Sequence, residues 1–127
     1  MSDLEHLVDQ YCEGWSCPSP EAREALIRRS LTGDATYTDP RADSLNVPGL
    51  LEHIARIQQS RPGAKVIRTS AVDSHHGLAR FNWHVVLPDG TTLPEGIDVI
   101  ELSADGARIR SIIGFFGPLR NRPAADA

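Results

Sequence analysis

Residues 80–87 read Arg-Phe-Asn-Trp-His-Val-Val-Leu, and the alternation in this stretch decides the fold. Successive side chains of a β-strand point to opposite faces, so one face of this stretch is aromatic and aliphatic while the other is largely polar. The first face carries Phe81, Trp83, Val85 and Leu87, and the second carries Arg80, Asn82, His84 and Val86. The pattern predicts a strand that covers a core with one face only.

Similar strand-like segments surround this stretch in the second half of the chain. They are rich in β-branched and aromatic residues and occupy 65–73, 78–87, 92–102 and 107–116. Short polar breaks that contain glycine separate them, at His75-His76-Gly77, Pro88-Asp89-Gly90 and Ala104-Asp105-Gly106. Breaks of this kind are typical of hairpins, so we expect an antiparallel meander.

The first half of the chain predicts three helices. Apolar residues at helical spacing run from Leu4 to Trp15, preceded by Ser2 and Glu5, which fit a capping box. Ser19-Pro20 opens a second helix, which we expect to stop at Gly33. Asn46 caps a third helix that ends before Arg61-Pro62-Gly63. Helices followed by hairpin-linked strands predict an α+β domain whose helices cover one face of a curled sheet.

Length and charge limit the function classes. The chain has 127 residues and a formal net charge of −4, and its longest basic run is the pair Arg28-Arg29. We expect one domain over residues 1–119 with a frayed tail over 120–127. A nucleic-acid partner is not expected, and neither is a membrane span or a signal peptide, so the sequence predicts a cytoplasmic protein.

The two cysteines, Cys12 and Cys17, are interpreted as packing residues. They are five positions apart, and the predicted first helix sends their side chains in different directions, which argues against a disulfide. The histidines nearest to them in sequence, His6 and His53, do not complete a zinc-type spacing, so we expect no metal.

Two acids stand in unexpected surroundings. Asp39 ends the strand-like run Asp34–Pro40, and Asp98 lies within Glu-Gly-Ile-Asp-Val-Ile at 95–100. Asp39 alone could be a turn aspartate before proline, and Tyr11 alone could be a core tyrosine. An acid among branched apolar residues is harder to explain on a buried strand face. If the apolar faces of the strands and of the first helix look inward together, Asp98 and Tyr11 look inward with them.

These residues together resemble the nuclear transport factor 2-like superfamily, including its SnoaL-like branch. The resemblance rests on Tyr11, the segment Asp34–Pro40, Gly96-Ile97-Asp98 and Gly114–Gly117, and it covers the chain to about residue 117. Within the superfamily, ketosteroid isomerase is similar at the polar positions, with Tyr11, Asp39 and Asp98 on its tyrosine and two aspartates. The resemblance implies a cone-shaped curved sheet with three helices, an internal pocket and a homodimer formed through the sheet.

The resemblance also implies a site for proton transfer without a cofactor. Asp39 would be the base, while Tyr11 and a protonated Asp98 would donate to the oxygen that becomes negative. The substrate would be a small apolar carbonyl compound, bound by Trp15, Phe81, Trp83, Val85, Ile112, Gly114 and Phe116. Trp15 stands one helical turn from Tyr11, so the pocket is expected to be smaller than a steroid requires.

Two alternatives stay open on the sequence alone. One is a ligand-binding or assembly module without turnover, in which Asp98 is ionised and either paired or solvated. The other is a SnoaL-like cyclase or a dehydratase that uses His84 with Asp39. An epoxide-hydrolase site is not favoured, because Arg80 lies on the strand face opposite Trp83.

Overall fold

The computed structural model describes residues 2–124. Within them the chain forms three helices and seven strands: α1 (Asp3–Ser16), α2 (Pro20–Ser30), β1 (Leu31–Asp39), β2 (Ala42–Leu45), α3 (Val47–Ser60), β3 (Lys65–Arg68), β4 (Asp73–His75), β5 (Leu78–Val86), β6 (Gly96–Leu102) and β7 (Ile109–Phe115). Residues 120–124 of the expected tail have no regular structure, and 125–127 lie outside the described residues. In the described part of the chain, none of the helices combines the length and apolar composition needed to cross a bilayer.

The three helices begin at the caps that the sequence predicts. The side chains of Ser2, Ser19 and Asn46 accept hydrogen bonds from backbone N–H groups in the first turns of α1, α2 and α3. These bonds satisfy donors that a helix start leaves free. Glu5, however, lies 3.6 Å from the guanidinium of Arg68, so its carboxylate is directed toward an ion pair with β3.

One sheet holds all seven strands, in the order β2-β1-β7-β6-β5-β3, with β4 paired beside β3 on β5. The pairs β5–β6 and β6–β7 are antiparallel, as predicted, but β1 pairs with β7 in parallel. The expected meander is therefore a mixed sheet. Register shifts in β1 and at Glu101–Leu102 mark irregularities of the kind that bend strands, and the sheet is curved.

Three predicted boundaries were wrong, and one of them is the start of the strand expected over 92–102, which lies at Gly96. The second helix ends at Ser30, and Gly33 lies inside β1, so it is not a left-handed stop. The expected strand over 65–73 is two short strands, β3 and β4, separated by residues 69–72. The Oγ of Ser70 accepts the backbone N–H of Asn82 across this gap, so a side chain takes the place of a ladder bond there.

The core lies between the helices and one face of the sheet. Residues that are almost fully buried come from both layers, among them Val8, Ile27, Leu50, Ile54, Phe81, Ile100, Ile109 and Ile112. The two cysteines are free, with Cys12 in this core and Cys17 half-buried. The opposite face of the sheet carries exposed apolar residues, including Ile113 and Phe115. Helices therefore cover one face only, as the alternation in β5 predicts.

Gln58 joins α3 to two other segments. Its amide N–H groups donate to the carbonyls of Trp15, at 2.8 Å, and Ala64, at 2.9 Å. Trp15 lies in the last turn of α1, and Ala64 directly precedes β3. One side chain therefore fixes the end of α1 against the start of the sheet.

We expect Gln58→Leu to lower the free energy of unfolding by about 1–3 kcal/mol, because it leaves two carbonyls without their partner. Gln59→Leu is the matched control, since Gln59 is the exposed neighbour in α3 and should change stability by less than about 0.5 kcal/mol. Urea denaturation followed by tryptophan fluorescence measures both. Equal losses in the two variants would contradict this role for Gln58.

Candidate active site

A cavity of about 510 Å³ opens between α1, α3 and the inner face of the sheet. Its lining includes Tyr11, Asp39 and Asp98, so the structure brings together the three polar residues that the sequence singles out. The size lies in the range typical of pockets for small molecules. Most of the remaining lining is aromatic or aliphatic.

Asp98 occupies the middle of the inner sheet face. It pairs across the strands with Phe81 on β5 and Gly114 on β7, and it is only 6% exposed. The indole N–H of Trp83 donates to its Oδ1 at 2.9 Å. No salt bridge reaches its carboxyl group from the residues that the structure describes. Burial therefore raises the pKa of Asp98 to about 7, the Trp83 bond opposes this rise, and the nearby Asp39 adds to it.

Asp39 ends β1 and is held by two donors. The hydroxyl of Tyr37 donates to its Oδ2 at 2.7 Å, and the backbone N–H of Arg41 donates to its Oδ1 at 2.7 Å. Tyr37 is two residues before Asp39 on the same strand, so both side chains face inward. The carboxyl group is 8% exposed and its orientation is fixed by these bonds.

The two acids flank Gly114. A Cβ placed on this glycine would lie 2.9 Å from Oδ1 of Asp98 and 3.6 Å from Cβ of Asp39. The absence of a side chain at 114 therefore gives the carboxyl group of Asp98 its space. Gly114 belongs to the floor between the two acids and is not part of the cavity lining.

Tyr11 faces the cavity from α1 with an unpaired hydroxyl. The residue is 2% exposed, and within residues 2–124 its hydroxyl has no hydrogen-bond partner, which is also true of the indole N–H of Trp15. Burial raises the pKa of Tyr11, Asp98 and Tyr37 add to the rise, and the neighbouring Trp15 opposes it, so the hydroxyl keeps its proton. Buried polar groups without partners are uncommon, and here both belong to residues that line the cavity.

Sequence reasoning did not assign Tyr37 and His53 to the site. Nε2 of His53 lies 3.6 Å from Oδ2 of Asp39, and the imidazole packs against the rings of Trp15 and Tyr37. The spacing of Tyr37 from Asp39 gave a usable signal, since residues two apart on a strand share a face. His53 begins the inward face of α3, but nothing in the sequence shows which strand that face meets.

The predicted substrate-binding residues divide into two groups. Trp15, Trp83, Val85 and Phe116 line the cavity. Phe81 and Ile112 share their strand faces but lie in the core, almost fully buried. Both belong to the core cluster that also contains residues of the three helices, and neither is part of the cavity lining.

The predicted pairing of His84 with Asp39 does not form. His84 lies on the outer face of β5, opposite Ile67 of β3, and is not in the cavity lining. His53 is instead the histidine beside Asp39. Arg80 is also outward, where it forms an ion pair with Asp73.

No protein-family model matches the chain, and no curated protein matches it. Solved structures do. A protein of the SnoaL-like family from Agrobacterium tumefaciens str. C58, named as a candidate isomerase, is 26% identical over 93% of this chain and 100% of that one, with a TM-score of 0.83. An NTF2-like (nuclear transport factor 2-like) protein of unknown function from Exiguobacterium sp. 255-15 is 18% identical over 85% of this chain and 95% of that one, with a TM-score of 0.67.

A candidate ketosteroid isomerase from Kribbella flavida DSM 17836 is 17% identical over 97% of this chain and 84% of that one, with a TM-score of 0.64. This chain has the fold of the NTF2-like proteins. The resemblance to the NTF2-like superfamily is thereby confirmed at the level of the α+β fold. At identities below 25% such similarities establish the fold and leave the chemistry of the NTF2-like cavity to its own residues.

The raised pKa of Asp98 predicts how stability depends on pH. The folded protein holds a proton on Asp98 up to about pH 7, whereas an ordinary aspartate loses it near 3.8. Stability is therefore greatest at the acid end of this window and falls as pH rises through it. Each pKa unit corresponds to about 1.4 kcal/mol, so the loss is on the order of a few kcal/mol.

Urea denaturation of the wild type and of Asp98→Asn between pH 4 and 8 tests this, since the difference between the two proteins cancels the other titrating groups. We expect the wild type to lose stability relative to the variant as pH rises. The exposed Asp43→Asn is the matched control, because it makes the same change of side chain away from the cavity lining. A flat difference between the wild type and Asp98→Asn would show that Asp98 has an ordinary pKa.

Proposed function

We propose that this NTF2-like protein catalyses a cofactor-independent proton transfer, a double-bond isomerisation, in a small apolar carbonyl compound. The observation that carries the proposal is a carboxyl group, Asp98, buried in an apolar cavity with no cation beside it in the described structure. An acid in such surroundings keeps its proton near neutral pH and can donate it in a hydrogen bond. The SnoaL-like relative named as a candidate isomerase agrees with this reaction class.

Asp39 would act as the base. Its carboxylate takes a proton from the carbon next to the substrate carbonyl, and the electron pair of that C–H bond forms the enolate. Asp39 then returns the proton to a more distant carbon of the conjugated system, which completes the isomerisation. The bonds from Tyr37 and Arg41 support this role because they hold the carboxylate in one orientation for both transfers.

Tyr11 and protonated Asp98 would stabilise the enolate oxygen. The hydroxyl of Tyr11 has no partner among the described residues, so it is free to donate to a ligand. Oδ1 of Asp98 accepts the Trp83 indole N–H, which leaves Oδ2 to carry the proton. Two donors aimed at the oxygen where charge develops would stabilise the transition state more than the ground state.

A phenol that mimics the enolate should bind through the same donors. We expect Tyr11→Phe to weaken phenol binding by about 10-fold, which is the loss of one hydrogen bond to a charge-bearing oxygen. Tyr37→Phe is the matched control, because the Tyr37 hydroxyl already donates to Asp39. Quenching of tryptophan fluorescence measures both dissociation constants. Unchanged affinity in Tyr11→Phe would remove Tyr11 from the site.

Asp39→Asn separates binding from turnover. It should bind the phenol at least as tightly as the wild type, since a negative charge leaves the cavity. It should also lower kcat for the conversion of a β,γ-unsaturated ketone to its conjugated isomer by about 10²–10⁴-fold. Ultraviolet absorbance of the conjugated product follows the reaction. Full activity in Asp39→Asn would overturn its assignment as the base.

A second candidate reaction uses the pair formed by His53 and Asp39. Their 3.6 Å approach at the cavity wall supports acid–base chemistry of the cyclase or dehydratase kind, with His53 in the place the sequence gave to His84. His53→Gln distinguishes the two reactions. Isomerisation with Asp39 as sole base should survive this change, whereas a cyclase or dehydratase reaction should lose most of its rate.

We also propose that the protein forms a homodimer through the outer face of its sheet. This face exposes Ile67, Val99, Ile113 and Phe115, with Ile113 and Phe115 45% and 56% exposed. Val99 and Ile113 are direct cross-strand neighbours, so the apolar surface is continuous from β6 to β7. Contiguous apolar surface of this kind marks an interface, and a second copy of the same face is its simplest partner.

A charge in the centre of this face should prevent dimerisation. We expect Ile113→Asp to shift the protein from dimer to monomer in sedimentation velocity, because the carboxylate would be buried without a partner. Leu119→Asp is the matched control, since Leu119 is fully exposed after the last strand. A wild type that sediments as a monomer at all concentrations would refute the dimer.

A further inference from the structure

Two arginines line the cavity in addition to its acids. Arg41 follows the β1 strand in the turn before β2, and Arg61 follows the last residue of α3. Both residues are exposed. In the described part of the chain neither guanidinium forms a salt bridge, although five carboxylates elsewhere are paired with other arginines. Two arginine charges at this opening are therefore available to a ligand.

The position of Arg41 is fixed at both ends. Its backbone N–H donates to Oδ1 of Asp39 at 2.7 Å. Its guanidinium lies 6.0 Å from the centre of the Phe116 ring, a cation–π distance, and Phe116 also lines the cavity. The residue that holds the proposed base thus places a positive charge at the opening.

The charges of the cavity are separated by depth. The carboxyl groups of Asp39 and Asp98 are buried, whereas Arg41 and Arg61 are exposed. An anionic group would be repelled from the acids and attracted to the arginines, whose planar donor groups match carboxylate oxygens. A neutral carbonyl group suits the inner end, because it carries no negative charge for the buried acids to repel.

We propose that the natural ligand is an apolar carbonyl compound that carries a carboxylate at the end remote from its carbonyl, with the carboxylate bound by Arg41 and Arg61. The position of the carbonyl rests on the proposed function, and the position of the carboxylate rests on the two arginines. The charge separation then orients the ligand, because only one direction of entry satisfies both ends.

Three naphthols test the proposal on the full chain. One is a hydroxynaphthoate with its carboxylate at the far end of the ring system from its hydroxyl; the others are its methyl ester and unsubstituted naphthol. We expect the wild type to bind the hydroxynaphthoate about 10-fold more tightly than the ester at low salt. The preference should shrink with added salt, since the arginines are exposed.

Arg41→Gln and Arg61→Gln should each weaken hydroxynaphthoate binding by about 3- to 10-fold and leave ester binding unchanged. Arg29→Gln is the matched control, because it removes the same charge from an exposed position on α2, away from the cavity lining. Equal affinity for acid and ester in the wild type, or equal weakening of both by the arginine variants, would overturn the proposal.

The same titrations separate this proposal from the proposed function. If Tyr11→Phe leaves ester binding intact while the arginine variants still weaken the acid alone, the carboxylate site stands and the oxygen-stabilising site fails. If Tyr11→Phe weakens the binding of all three naphthols while the wild type binds acid and ester equally, the oxygen-stabilising site stands and the carboxylate site fails. Failure of all three naphthols to bind would overturn both.

Discussion

The cavity depends on one unfavourable arrangement, the burial of the Asp98 carboxyl group with no cation beside it in residues 2–124. Desolvation penalises the charged form of a buried acid, and within this part of the chain the Trp83 indole N–H is the one donor that stabilises it directly. Two glycines make the arrangement possible. Gly114 leaves space for the carboxyl group, and Gly96 lets the Trp83 indole approach the backbone closely, since a Cβ there would collide with the ring.

The two acids of the cavity are held in different ways, and this difference supports different roles. Asp39 accepts hydrogen bonds from Tyr37 and from the backbone of Arg41, with His53 close to the same carboxyl group. Asp98 accepts one hydrogen bond among the described residues, from the Trp83 indole, and lies between Phe81 and Gly114 across the sheet. When two carboxyl groups share a site in such unlike surroundings, one can stay charged while the other keeps its proton. A base must be charged and an oxygen-stabilising donor must hold its proton, so the difference between the two acids fits these two roles.

Local sequence patterns predicted the elements of the fold better than their pairing. Caps and helical spacing located all three helices, and alternation identified the inward face of β5. The parallel pairing of β1 with β7 could not be predicted from local patterns, because it joins segments about 75 residues apart whose patterns suit either direction. Gly33 was read as a helix stop because glycine suits both a cap and an irregular strand.

The same limit applies to the site. Tyr11, Asp39 and Asp98 could be identified because polar residues on apolar faces indicate a functional site, and these three residues line the cavity. Phe81 and Trp83 could not be separated in this way, since they share one face of β5, and only the position of the covering helices decides that Phe81 is core and Trp83 is lining. His53 was equally hidden, because its neighbour Asp39 belongs to another element.

A binding module without turnover would be expected to hold Asp98 differently. A carboxylate kept only for structure is normally paired with a cation or left in water, and Asp98 is neither within the described part of the chain. An apolar pocket selected only for shape would be more stable with an uncharged residue at this position, since that would remove the desolvation cost. Buried groups that lower stability and are not needed for the fold are concentrated at functional sites. The buried, unpaired acid therefore favours chemistry at the carbonyl over passive binding.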